Sequence, residues 1–250
     1  MTKGCVSSER ILSRLDEYLN KNDYASAERH LLYWLKEAEQ AGDANTELLV
    51  RNELMGLYRK LGKEKQALES VSSALAKIKE LNISHQVGAA TTFLNCATVY
   101  KAFGMAESAL PLFEKAKSVY ESKLESTDTR LGGLYNNMAL ALVDLKRFSD
   151  ARELYLKAIG IMEKSENGSL EVAITYLNMA SAAESEMGLL DADETIQIYL
   201  DKAEALLESH TERDGYYAFV CEKCASVFGY YGRFLYENEL NERARRIYGQ

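Results

Sequence analysis

Apolar residues recur along most of this chain at the spacing of a helix with one buried stripe. Phe93, Cys96, Ala97 and Tyr100 stand at i, i+3, i+4 and i+7, which puts all four on one helical face. A second stripe follows at Ala109, Leu112, Phe113 and Ala116, with Gly104 between the two. The pattern predicts a helical hairpin, with small residues where the helices must approach closely and large ones filling the gaps.

The hairpin repeats. Ala97-Thr98-Val99-Tyr100-Lys101-Ala102-Phe103-Gly104 aligns with Met55-Gly56-Leu57-Tyr58-Arg59-Lys60-Leu61-Gly62, so a tyrosine and a glycine recur 42 residues apart. Downstream, Ala67, Val71 and Ala74 are echoed by Ala109, Phe113 and Ala116, and again by Ala151, Tyr155 and Ala158. A fixed period of this size marks a repeat architecture. One hairpin cannot cover its own apolar surface, so neighbouring units must stack.

Clear units span about 45–82, 87–124 and 129–165, flanked by more divergent ones at about 7–41, 170–209 and 213–248. The first keeps Tyr18, Ala27 and Leu31 but has Trp34 where a small residue is usual. The fifth carries extra residues in the stretch from Gly188 to Thr195. The last fits if Phe228, Tyr231, Gly232, Leu235 and Ala244 take the matching positions. Divergent terminal units suit an array whose outer faces meet water. No Pro/Gly/Ser tract or charge block interrupts it, so the expectation is one domain over 1–250.

The order large-x-x-large-small-x-x-Tyr, Gly, then Ala-x-x-x-Phe-x-x-Ala resembles the tetratricopeptide repeat, and extends over nearly the whole chain. The 42-residue spacing and the strings Leu134-Tyr135-Asn136-Asn137-Met138-Ala139 and Thr175-Tyr176-Leu177-Asn178-Met179-Ala180 are similar to the long variety found in kinesin light chains. The resemblance implies an all-α, right-handed α-α superhelix of about six hairpins, its concave groove lined by the first helix of each unit.

Groove positions can then be numbered. Asn95, Asn137 and Asn178 stand two residues before Ala97, Ala139 and Ala180, with Asn52 and Asn136 one step earlier in their units. An asparagine amide offers donors and an acceptor, suited to the backbone of an extended peptide. The competing expectation is that these amides bond to neighbouring helices or face water. Arg59, Lys60 and Lys101 from earlier units and Asp144 and Glu184 from later ones suggest a polarised groove that takes the acidic part of a ligand toward the N-terminal units. Solvated charges are the alternative, since 27% of the chain is charged.

Composition narrows the function classes. One proline in 250 residues favours long helices, and Pro111 stands about one turn into its own. The net charge of -8 and pI near 5.2 oppose binding to phosphate backbones. The chain shows no apolar run long enough to span a bilayer, and Met1 to Arg10 lacks a secretory pattern, so an intracellular, cytoplasmic protein with no membrane partner is expected. Cys221 and Cys224 form a C-x-x-C pair; together with Cys5, Cys96 and three scattered histidines they supply no four-ligand zinc set, so no cofactor is expected and two cysteines three apart read as sharing a buried face.

Catalytic motifs are missing: no G-x-G-x-x-G, Walker loop, H-E-x-x-H or G-x-S-x-G occurs. Glu184 and Glu186 fall on different sides of a helix. The leading expectation is a non-enzymatic adaptor for a protein or extended peptide. The alternatives are a peptide-sensing regulator and a self-association module. The regulator needs a separate output protein, since Met1 to Ser8 is too short for a DNA-binding module. Self-association would use the tyrosine-rich end, with Tyr216, Tyr217, Tyr230, Tyr231, Tyr236 and Tyr248, as a homodimer surface, although tyrosines also fill space between helices.

Overall fold

The computed structural model describes residues 7–166 and 168–249. Twelve helices and no strand occur among them, arranged as six hairpins, and the chain divides into two compact units between Lys123 and Leu124. The first unit holds α1 (Ser8–Asn20), α2 (Tyr24–Ala41), α3 (Ala44–Lys60), α4 (Glu64–Glu80), α5 (Val87–Ala102) and α6 (Ala106–Lys123). The second holds α7 (Thr129–Asp144), α8 (Phe148–Met162), α9 (Ser169–Met187), α10 (Leu189–Ser209), α11 (Gly215–Tyr230) and α12 (Phe234–Tyr248).

Four helix starts carry a short acceptor side chain. Asp23, Asp43, Asp128 and Asp214 each accept a hydrogen bond from a backbone N–H in the first turn of the following helix, which satisfies donors that the helix itself leaves open. Pro111 lies inside α6, which continues through it to Lys123.

The repeated tyrosine and glycine have a backbone explanation. In five hairpins the first helix ends with the same closure: the N–H of Asp23, Lys63, Met105, Arg147 and Arg233 donates to the carbonyl of Tyr18, Tyr58, Tyr100, Leu142 and Phe228, at 2.8–2.9 Å. The residue just before each donor has positive φ: Asn22, Gly62, Gly104, Lys146 and Gly232. This six-to-one bond with a left-handed residue is the Schellman ending of a helix, and glycine adopts it without a Cβ penalty. The fifth hairpin departs from it. There α9 runs to Met187, α10 begins at Leu189, and Gly188 alone joins them at φ 86 and ψ 157. The extra residues of this hairpin therefore lengthen its helices instead of forming a loop.

Packing follows the small positions. Ala97, Ala139, Ala180 and Ala225 in first helices, and Ala67, Ala109, Ala151 and Ala192 in second helices, are all buried. First helices pack on first helices, α3 on α5, α7 on α9 and α9 on α11, while each second helix packs against the first helix of its own hairpin. Large side chains such as Phe113, Tyr120, Leu134 and Phe228 fill the space between, each adding roughly 1.5–3 kcal/mol when fully withdrawn from water. Trp34, half-buried in α2, meets His30 and Tyr33 edge-on at 6.4 and 5.1 Å between ring centres.

Candidate functional site

The first-helix face of the first unit is built on α3 and α5. Asn95 donates its amide to the side-chain oxygen of Asn52 at 3.1 Å. Asn52 in turn donates to the Thr92 hydroxyl at 3.0 Å, and Thr92 donates to the Gly88 carbonyl at 3.2 Å. Four residues thus form one directional chain that ties two neighbouring hairpins. Both asparagines stay half-buried, so one edge of the pair faces solvent.

Along α3, Asn52, Gly56 and Arg59 follow at i, i+4 and i+7 and share a face. Gly56 sits in mid-helix with open space in front of it: a Cβ built there meets no neighbouring atom within 4 Å. Arg59 reaches solvent and has no acidic partner among the described residues, and partial burial lowers its pKa. Lys60 turns away, its ammonium 5.0 Å from the centre of the Tyr24 ring. Lys101 is half-buried and has an interaction partner of its own. Glu53 has its pKa raised, first by burial and then by Asp16 of α1.

The second unit repeats the amide pair. Asn178 of α9 donates to the side-chain oxygen of Asn136 of α7 at 3.0 Å, and Asn136 is only 9% exposed. Asn137 instead donates to the Gly133 carbonyl of its own helix at 2.8 Å. The two acids on this side differ in their surroundings: Asp144 is exposed, whereas Glu184 accepts hydrogen bonds from Tyr230 and Tyr231 at 2.7 and 2.8 Å. Glu186 points elsewhere and pairs with Arg152 at 2.7 Å.

The tyrosine-rich end is largely tied inward. Tyr217 is fully buried and its hydroxyl accepts from Arg243; Tyr216 bonds to Glu171, and Tyr236 to Glu208. Cys221 and Cys224 share the buried face of α11, and burial raises their thiol pKa values to about 11 and about 12. Burial likewise lifts Cys96 to about 12, and Cys5 lies outside the described residues. Among the described residues no three His, Cys, Asp or Glu side chains are placed to hold a metal ion, and no helix is long and apolar enough to cross a membrane.

The sequence placed Asn95, Asn137 and Asn178 in one register, but the bonds join Asn95 to Asn52 and Asn178 to Asn136. The missed relation is an offset of one residue between partners on adjacent helices. Its trace in the sequence is that both pairs span almost one repeat, 43 and 42 residues.

Paired helices closed by one recurring turn, with first helices packed in series, define an all-α helical-hairpin solenoid of the tetratricopeptide type. The chain is similar to a protein from Podosopora anserina with nearly identical kinesin-light-chain TPR-like repeats, at 18% identity over 81% of this chain and 95% of that one, with a TM-score of 0.55. It is also similar to BtubC (BKLC) from P. vanneervenii, at 19% identity over 92% of this chain and 91% of that one, with a TM-score of 0.58. No protein-family model and no curated protein matches the chain. At such identities the likeness is one of fold.

Proposed function

We propose that the chain is a non-enzymatic adaptor that receives an extended segment of another protein on the first-helix face of its first unit. The observation that carries this reading is the line Asn52, Gly56, Arg59. A glycine in the middle of a helix costs about 1 kcal/mol relative to alanine, and no neighbouring atom requires it at position 56. Its effect is to leave room for a peptide backbone to come close to α3. Beside that gap Arg59 offers five donors without an acidic partner, suited to a carboxylate on the ligand. The solvent edge of the Asn52 and Asn95 pair supplies amide groups for the ligand backbone.

The test is an array of extended decapeptides of graded acidity probed with the wild type, Arg59→Ala and Gly56→Leu. Acidic peptides should be retained by the wild type, weakened by raised salt and by Arg59→Ala, and lost with Gly56→Leu. Equal retention by all three proteins, or binding indifferent to salt, defeats the reading.

A second reading, self-association, draws on an apolar edge of the second unit. Leu190 and Leu235, at the starts of α10 and α12, are 90% and 88% exposed, with Phe234 also open. Apolar surface left in water favours a partner. Sedimentation over a range of concentrations, with Leu190→Glu and Leu235→Glu as controls, tests it: a monomer at every concentration rejects it.

A further inference from the structure

In the first unit the second helices of the first two hairpins start within about one turn of each other: Lys63, just before α4, donates to Glu28 in the second turn of α2 at 2.6 Å. In the second unit the last two hairpins differ. Arg233, the residue before α12, donates to Gln197, Asp201 and Glu204 at 2.6–2.9 Å, and these acceptors begin only in the third turn of α10. The start of α10 thus stands more than one turn beyond the start of α12, a projection of roughly 6–11 Å.

The projecting turns are apolar and acidic on the side that faces α12. Leu190, Gln197 and Glu204 stand seven residues apart, which lines them up on one face of α10, and the latter two hold Arg233. Leu190 is 90% exposed. Asp193 and Glu194 follow it at i+3 and i+4 and flank it on that face; both are exposed, and neither is bonded to a cation among the described residues. Leu235, 88% exposed, lies in the first turn of α12 between Arg233 and Tyr236, which both bond to side chains of α10. The result is a step, with Leu190 and two uncompensated carboxylates on its wall and Leu235 on its ledge.

We propose that this step seats an amphipathic helix of another protein, one with an apolar stripe flanked by Lys or Arg. The vacancy runs along α10 in line with α12, and a short helix fills such a place with most of its own backbone groups already paired. Its stripe covers Leu190 and Leu235, whose apolar surface is otherwise left in water. Its cations neutralise Asp193 and Glu194. A chain with a net charge of -8 attracts basic segments over acidic ones. A second copy docked on this edge would bring the same two acids against these, so the charge favours a foreign basic helix. The site lies on second helices of the second unit and is independent of the first-helix face proposed to receive an extended acidic segment.

The experiment titrates the full chain into a fluorescein-labelled peptide of about 15 residues, built from leucine, alanine and lysine with the leucines in one helical stripe. Two control peptides accompany it, one with glutamate in place of every lysine and one with the lysine sequence shuffled so that no stripe remains. The striped lysine peptide should bind saturably, and more weakly at raised salt, while the controls should not bind. Leu190→Ser with Leu235→Ser should weaken it by about tenfold or more, and Asp193→Asn with Glu194→Gln by about threefold to tenfold. These four side chains are exposed, so the melting temperatures of both variants should match that of the wild type. Arg59→Ala should leave this binding unchanged.

The proposal is overturned if the striped lysine peptide shows no saturable binding, if either control binds as well as it does, or if either double variant keeps wild-type affinity. It is also overturned if sedimentation shows a dimer that Leu190→Ser abolishes, since a second copy would then be the occupant of the step.

Discussion

The amide of Asn95 donates to the side-chain oxygen of Asn52 across the boundary between the second and third hairpins, at 3.1 Å. The same bond joins Asn178 to Asn136 across the boundary between the fourth and fifth, at 3.0 Å. Hydrogen bonds between hairpins fix the rotation of one on the next, a task that apolar packing alone performs loosely.

The pair should therefore be energetically coupled. Asn52→Ala and Asn95→Ala are each expected to cost about 1 kcal/mol. The double variant should cost less than the sum of the singles by about 0.5–1.5 kcal/mol. Urea denaturation of the four proteins measures this, and strict additivity would remove the amide bond from the list of stabilising contacts.

Gly56→Ala separates folding from binding. It should stabilise α3 by about 0.5–1 kcal/mol, since nothing blocks the new methyl group. If the open space serves a peptide backbone, binding weakens in the same protein. A thermal melt and a peptide titration read the two effects, and a fall in melting temperature would contradict the first.

Two buried tyrosines should respond to the same substitution with opposite signs. Tyr155→Phe removes an unpartnered oxygen and is expected to raise stability by about 1 kcal/mol in the unliganded protein. Tyr217→Phe deprives Arg243 of its 2.9 Å acceptor and should lower stability by a similar amount. Chemical denaturation decides between this pattern and one in which both changes have the same sign.

Alkaline pH should destabilise the chain through its thiols. Burial raises Cys221 to about 11, and Cys96 and Cys224 to about 12, against about 8.5 in an unfolded chain. Their contribution is whole below pH 8.5 and is lost as the pH climbs toward 11–12, because the unfolded state releases these protons first. The slope approaches about 1.4 kcal/mol per pH unit per thiol. In a Cys5→Ser background, a thiol reagent at pH 8 should leave the native protein untouched and label three cysteines after unfolding. Rapid labelling of the native form would refute the burial.

Much of the fold was legible because its chemistry is local. Tyr58 with Gly62 and Tyr100 with Gly104 announce a hairpin closure that depends on the backbone of a few consecutive residues. The fourth hairpin closes the same way with Leu142 and Lys146, an instance that residue types alone would have missed. The candidate site was less legible. That Asn95 meets Asn52 depends on how α5 settles against α3, and no spacing within one helix carries that information. Glu184 similarly read as a groove acid, although two tyrosines at the C-terminal end of α11, Tyr230 and Tyr231, occupy its oxygens.

Gly188 differs from the other turn glycines. At Gly62, Gly104 and Gly232 the backbone is left-handed, and asparagine and lysine hold equivalent places at residues 22 and 146. At Gly188, φ 86 with ψ 157 lies in a region that is essentially closed to any side chain. In a saturating codon library, position 188 should accept one amino acid while its counterparts drift. The turn of the fifth hairpin is thereby less tolerant of substitution than the matching turns of the other five, and the length of α9 and α10 is inherited with it.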